Sequence, residues 1–309
     1  MKQNNKEEKP FFSVVIPTYN HEFFLEKAVQ SVLNQTFKNY EIIIIDNHSD
    51  DNTENLIKNI NNEKIKFIKT HNNGIIAKSR NIGINNSKSE WIAFLDSDDL
   101  WYKNKLEVLF NFLKKNNNYD VICNSELVVD KIHNKKKIWK HGPLYWQNKK
   151  NFYKILLKYG NYLSVSASIV RKKFLEDNKI YFSEEKSFSP TEDYDFWLRI
   201  AKNEAKFKFL DTVLGEHLFH LKSWGSKNRI IFRESERSQA KYHVFNMQNF
   251  TSSKKNLWSY IESRLIIEDI MKLLYVNKYF KALIILVKLI IKYPIQSIVH
   301  IHFKIKRIF

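Results

Sequence analysis

The chain has 309 residues, 43% of them hydrophobic, a formal net charge of +18 and a single cysteine. This length suits one large domain or a domain with an appendage, and one cysteine excludes an internal disulfide. The basic balance favours polyanionic partners (nucleic acid, anionic lipid or phosphorylated ligands), but the lysines are interleaved with Asn and Ile throughout and mark no discrete nucleic-acid site.

Residues 1–10, MKQNNKEEKP, are polar, lack the apolar core of a signal peptide and read as a flexible tail. FFSVVIP then reads as a buried strand ending at Pro17. HEFFLEKAVQSVLNQ follows with a helical stripe of Phe24, Leu25, Ala28, Val32 and Leu33. EIIIID, KIKFIKT and WIAFLD are three more strands. DNTENLIKNI, GIIAKSRNIGI and NKLEVLFNFLKK are the helices between and after them. Four strand–helix alternations with continuously apolar strands predict a mostly parallel α/β sheet covered on both faces. Cys123 lies in the strand-like DVICNSELVV and reads as an inert core residue. Beyond about residue 120 strands and helices mix, and from about 227 the pattern is helical.

Ligands of such sheets bind beyond the C-terminal strand ends. Those tips carry Pro17-Thr18-Tyr19-Asn20, Asp46-Asn47 and Asp96-Ser97-Asp98-Asp99. They are expected to face one crevice. The clustered acids suit a polar, helix-capping turn and equally a Mg²⁺ or Mn²⁺ site completed by substrate phosphates. Arg80 suits a solvated helix face or a diphosphate contact. Gly74 and Gly83 flank its segment and allow close backbone approach.

The stretch from SVVIPTYN to DNHSDDNT, then NNGIIAKSRNIGI and WIAFLDSDDLW, resembles family 2 glycosyltransferases of the GT-A fold over roughly residues 11–115. SPTEDYDFWLRIA is a second match. The resemblance implies a catalytic domain over 11–226, with a nucleotide part at about 11–115 and an acceptor part at about 116–226, followed by a helical region at 227–309. It implies that Pro17, Thr18, Tyr19, Asn20 and Asp46 hold the nucleotide, usually uridine. Asp96, with Ser97 beside it, meets the ribose, and Arg80 lies by the diphosphate. Asp98 ligates Mg²⁺ or Mn²⁺. Two departures stand out. Asn47 replaces a second acid, and GEHLFHLKSWGS lacks the Arg of an Arg-x-His element. His220 or His217 could take the place of that element's ligand, and the following LKSWGS favours His220.

In SPTEDYDFWLRIA, Ser189, Pro190 and Glu192 fit N-cap, N1 and N3 of a capping box. Asp193 shares a helix face with Phe196, Trp197 and Ile200, where a carboxylate is costly unless paired or used. The resemblance makes it the general base. The function implied is metal-dependent, inverting transfer from a nucleoside-diphosphate sugar, a UDP-sugar by preference, to a hydroxyl of a lipid-linked glycan. The product would be a bacterial surface polysaccharide or glycoconjugate.

Near the C-terminus Lys281, Lys288 and Lys292 share a helix face, beside Leu283, Ile284, Ile285, Leu286, Leu289 and Ile290, and Pro294 breaks the helix. This pattern fits an amphipathic helix in a membrane interface, or one packed on the domain with its lysines outward. With the resemblance it places the protein in the cytoplasm, peripheral on the inner face of the membrane, without a nucleic-acid partner. Two rival readings are a basic nucleic-acid-binding protein, which leaves Asp96, Asp98 and Asp193 unexplained, and an inactive membrane-bound relative.

Overall fold

The computed structural model describes residues 9–143, 151–220, 229–249 and 253–308. The chain divides into two compact units. One is Met1–Gly142 with Tyr162–Asn228, the other Pro143–Asn161 with Arg229–Phe309. Of the 1–10 tail, residues 1–8 lie outside the described residues, as does the 226/227 boundary.

In the first unit, strands β1 (Phe12–Thr18), β2 (Tyr40–Asp46), β3 (Ile65–Lys69) and β4 (Trp91–Phe94) alternate with helices α1 (Glu22–Leu33), α2 (Thr53–Ile60) and α3 (Ile76–Asn86). These strands stand in the order β3-β2-β1-β4, all parallel, with Thr18 opposite Asp46. The pleat sends alternate side chains to opposite faces. On one face Val14, Ile16, Ile42, Ile44 and Ala93 pack with Leu25, Ala28, Val29 and Val32 of α1. Leu106, Leu109 and Leu113 of α4 (Lys105–Lys115) join the same core. Burying each of these larger aliphatic side chains is worth roughly 1.5–3 kcal/mol.

On the other face α3 comes so close that a Cβ on Gly83 would lie 2.2 Å from Val15 Cγ1. Gly74 is different. It has a left-handed φ of +75° with open space around it, so it serves a turn and not a close approach. The expectation of continuously buried strands fails for β3, the edge strand, whose Lys66 and Lys69 are exposed.

The sheet continues through β8 (Ser168–Arg171), β6 (Val121–Asp130), β9 (Phe207–Phe219) and the short β5 (Leu100–Trp101). Strand β8 is antiparallel to β4 and β6, β6 is parallel to β9, and β5 is antiparallel to β9. Strand β7 (Lys135–Trp139) pairs with β6. Helices α6 (Lys172–Asp177) and α7 (Glu192–Lys202) complete this unit. Cys123 is buried in β6, the core position expected of it, and burial pushes its thiol up to about 12.

The second unit is helical: α5 (Phe152–Tyr159), α8 (Arg229–Tyr242), α9 (Lys254–Tyr275), α10 (Tyr279–Lys292) and α11 (Pro294–Ile308). Helix α5 belongs to this unit although it falls within the span assigned to the acceptor part. Tyr153 of α5 hydrogen-bonds His243 Nδ1 at 3.0 Å, and Lys158 lies 3.7 Å over the Tyr260 ring. Ile267 and Ile270 of α9 pack with Ala282 and Leu289 of α10. Arg264, almost wholly buried, pairs with Glu236 at 2.5 Å.

Candidate functional site

The first unit gathers the strand-tip residues at the C-terminal ends of β1, β2 and β4. At the β1 tip, Pro17 lies opposite Ile45 and Thr18 opposite Asp46. Thr18 Oγ1 is buried and has no hydrogen-bond partner among the described residues. Tyr19 is exposed. Asn20 takes a left-handed φ of +51°, which Asn tolerates, and accepts from the Asp50 N–H at 2.8 Å. Asp46 is fully buried. Its carboxylate accepts from the Ser49 N–H at 3.2 Å and from the Ser49 hydroxyl at 2.5 Å, so it shapes the loop after β2. Asn47, which stands where the family resemblance expects a second acid, accepts from the Asn72 N–H at 2.7 Å and ties the β2 and β3 tips together. Nearby, His48 and His71 stack with centroids 3.7 Å apart, a pair the sequence did not signal.

Beyond β4 the chain turns sharply, with the Asp99 N–H donating to Asp96 O at 3.0 Å. Ser97 Oγ meets His21 Nδ1 at 2.9 Å, and the Asp96 N–H donates to Ser166 Oγ at 3.0 Å. The return of β9 along β5 then brings two histidines to the acids. His220 Nε2 stands 3.1 Å from Asp98 Oδ2, and His217 Nδ1 lies 3.2 Å from the Asp99 carboxylate. Phe24 stacks on the His220 ring at 4.4 Å and 16°, fixing its plane. The sequence assigned Phe24 to the apolar stripe of α1, and it overlooked His21, whose only signal was adjacency to the β1 tip. The LKSWGS segment that favoured His220 lies, from residue 221 on, outside the described residues.

The acids differ in their electrostatics. Burial would raise the Asp98 carboxyl, but the His220 hydrogen bond and the neighbouring imidazoles lower it on balance. Asp99 is driven the other way by burial, to about 6, against the pull of His217. The Asp99 charge raises His217 to about 10 despite burial. Further back, Glu126 meets His141 at 2.9 Å. Lys105, fully buried, donates to Ser166 O at 2.7 Å and is lowered by burial to about 8.

Asp98 and His220, a carboxylate and an imidazole, are donor types that a divalent cation takes, and they would be the residues to hold one. Among the described residues no group of three or more His, Cys, Asp and Glu side chains forms a metal-binding cluster. Two protein donors would leave room for water and for the phosphate oxygens of a substrate.

The start of α7 corrects the expected capping box. The helix begins at Glu192 after Thr191, and neither Ser189 nor Pro190 caps it; the Ser189–Pro190 peptide is cis. Glu192 has another task. Arg80 is buried, with Nη1 2.5 Å from Glu192 Oε1 and Nη2 2.6 Å from Asp96 Oδ1. Burial opposes the Arg80 charge, yet Asp96 and Glu192 together raise its pKa further. With both Nη nitrogens engaged, this guanidinium positions acids on two elements.

Asp193 follows Glu192 and accepts the Tyr194 N–H at 2.8 Å. Burial, then the Glu192 charge, pushes its carboxyl up to about 7 against the pull of Arg80. A carboxyl poised there can take a proton near neutral pH. Asp195, which the sequence did not single out, is fully buried and paired with Arg199 at 2.6 Å.

The family model "Glycosyl transferase family 2" matches residues 13–177. Over 235 residues the chain is 33% identical to the poly(ribitol-phosphate) beta-N-acetylglucosaminyltransferase TarP of Staphylococcus aureus, covering 74% of this chain and 68% of that one. Over 122 residues it is 35% identical to the Escherichia coli UDP-Glc:alpha-D-GlcNAc-diphosphoundecaprenol beta-1,3-glucosyltransferase WfgD, covering 38% of this chain and 48% of WfgD. Several other curated relatives are longer, and the match spans 61% or less of their length. The crystal structure of S. aureus TarS 1–349 in complex with UDP superposes with a TM-score of 0.61 at 22% identity, covering 82% of this chain and 71% of that one. The fold is therefore the GT-A architecture with added C-terminal helices, and the chain belongs to family 2 of the glycosyltransferases.

Proposed function

We propose that this glycosyltransferase moves a sugar from a UDP-sugar to a hydroxyl of a lipid-linked or polymeric surface glycan, with inversion at the anomeric carbon. The observation that carries this reading is the Arg80 bridge from Asp96 to Glu192, the residue before Asp193, whose carboxyl feels the charges of Arg80 and Asp96. Asp193, poised at about 7, accepts the proton of the acceptor hydroxyl as that oxygen attacks the anomeric carbon. The bond from that carbon to the diphosphate breaks, and the departing nucleoside diphosphate keeps the electron pair.

Asp98 and His220 would hold Mg²⁺ or Mn²⁺, which would neutralise charge on the leaving diphosphate. Thr18, whose buried hydroxyl has no partner among the described residues, and Asp46, which holds the loop after β2, would form the nucleotide end with Pro17, Tyr19 and Asn20. UDP in the TarS structure supports the donor class, and the names of WfgD and TarP support the acceptor class.

The test is calorimetric titration of UDP, GDP, CDP and dTDP, with and without Mn²⁺, into wild type and Asp98→Asn. Tight UDP binding that needs both Mn²⁺ and Asp98 is the expected result. Preference for another nucleotide would overturn the donor assignment, and equal binding by Asp98→Asn the metal assignment. Binding of none of the four would overturn the transfer reading itself.

A further inference from the structure

Helix α10 is apolar on two opposite sides. Ala282 and Leu289 are buried against α9, and Ile285 and Leu286 pack beside them. On the far side Phe280, Leu283, Ile284, Val287 and Ile291 recur three and four residues apart. All are exposed, Phe280 at 79% and Ile291 at 77%. In α11 Ile295 and Ile298 are 65% and 70% exposed, while Ser297 and His300 between and after them are buried. Lys281, Lys288 and Lys292, also exposed, line one flank of the α10 stripe. Soluble chains seldom leave a contiguous apolar stripe of this kind in water.

We propose that this face seats the protein on an anionic lipid surface, with α10 lying in the interface plane. Charge selects this occupant. Residues 270–309 carry eight Lys and Arg and no Asp or Glu, so a second copy of the same face would bring cations to cations. Anionic headgroups supply the missing counter-charge, and the acyl boundary takes the stripe. The helix lies on the bilayer and does not cross it. Its 14 residues reach about 21 Å against a hydrocarbon core of about 30 Å. Among the described residues no helix is long and apolar enough to span. The proposal is independent of the donor, the metal and the base assigned above.

The test is flotation of the whole chain with phosphatidylcholine vesicles, with and without phosphatidylglycerol. Wild type is expected to float with the anionic vesicles and to be released by salt. Ile284→Asp with Ile291→Asp should abolish flotation, and Lys281→Gln and Lys288→Gln should each lower the partition about fivefold. Should the Asp pair fail to fold, Ile284→Ser with Ile291→Ser makes the same test, folding being followed by circular dichroism. Wild type that floats with neither vesicle, or variants that float as wild type does, would overturn the proposal. So would a wild-type dimer that the Asp pair dissociates without any vesicle binding, since the face would then be a copy-to-copy interface.

Discussion

Arg80 and Glu192 stand 2.5 Å apart through Nη1 and Oε1, both buried and 112 residues distant in sequence. Through its other nitrogen Arg80 holds Asp96, so a single side chain on α3 joins the β4 tip to the start of α7. Removing one partner of a buried pair leaves the other charge uncompensated. Arg80→Met is therefore expected to lower stability by about 3–5 kcal/mol in urea unfolding.

The same cluster sets the pH dependence of transfer. Asp193 acts as a base only when ionised, so kcat/KM should rise with pH through about 7 and level off above it. Glu192 contributes a negative charge that raises Asp193. Glu192→Gln should therefore move the rising limb to lower pH. A limb at its original position in this variant would show that another group carries it.

Phe24 stacks on His220 and restrains the ring that faces Asp98. Groups that orient a ligand commonly govern affinity on the order of tenfold or more. Phe24→Leu should weaken Mn²⁺-dependent UDP binding by about that factor in calorimetry while leaving the melting temperature near that of wild type. His220→Asn should weaken it further.

Gly83 sits where α3 crosses β1, and a methyl group there meets Val15 at 2.2 Å. Both atoms belong to packed core elements, so neither yields freely. Gly83→Ala is expected to lose about 1–3 kcal/mol by chemical denaturation. At Gly74 space is open and only the φ of +75° resists, so Gly74→Ala should lose no more than about 1–2 kcal/mol.

Lys105 is fully buried, and burial lowers it to about 8 from an ordinary 10.5. Between those values the unfolded chain binds the extra proton, so this group adds stability as pH rises from 8 toward 10.5. Unfolding curves of wild type against Lys105→Met isolate the effect. Wild type should gain relative to the variant across that window, by up to roughly 3 kcal/mol, and below pH 8 the difference between them should be flat.

Local pattern alone was enough for the parallel half of the sheet. FFSVVIP, EIIIID and WIAFLD are apolar because both faces of β1, β2 and β4 are covered, and the acids after WIAFLD mark where the strand leaves the core. The same runs with PTYN and SPTEDYDFW carried the family. What the sequence could not reveal depends on contacts between distant positions. Glu192 read as a cap because its neighbours in sequence suit one, whereas its actual partner, Arg80, lies on another helix. The pairing of His217 with Asp99 and of His220 with Asp98 follows from the return of β9 along β5, which no local periodicity encodes. Helix α5 interrupts the catalytic unit in sequence but belongs to the helical one, because its partners, among them His243 and Tyr260, come later in the chain. Residue type and spacing fix which face of a segment is apolar. Only the folded chain decides what that face meets, as α10 shows with one apolar side buried and the other left open.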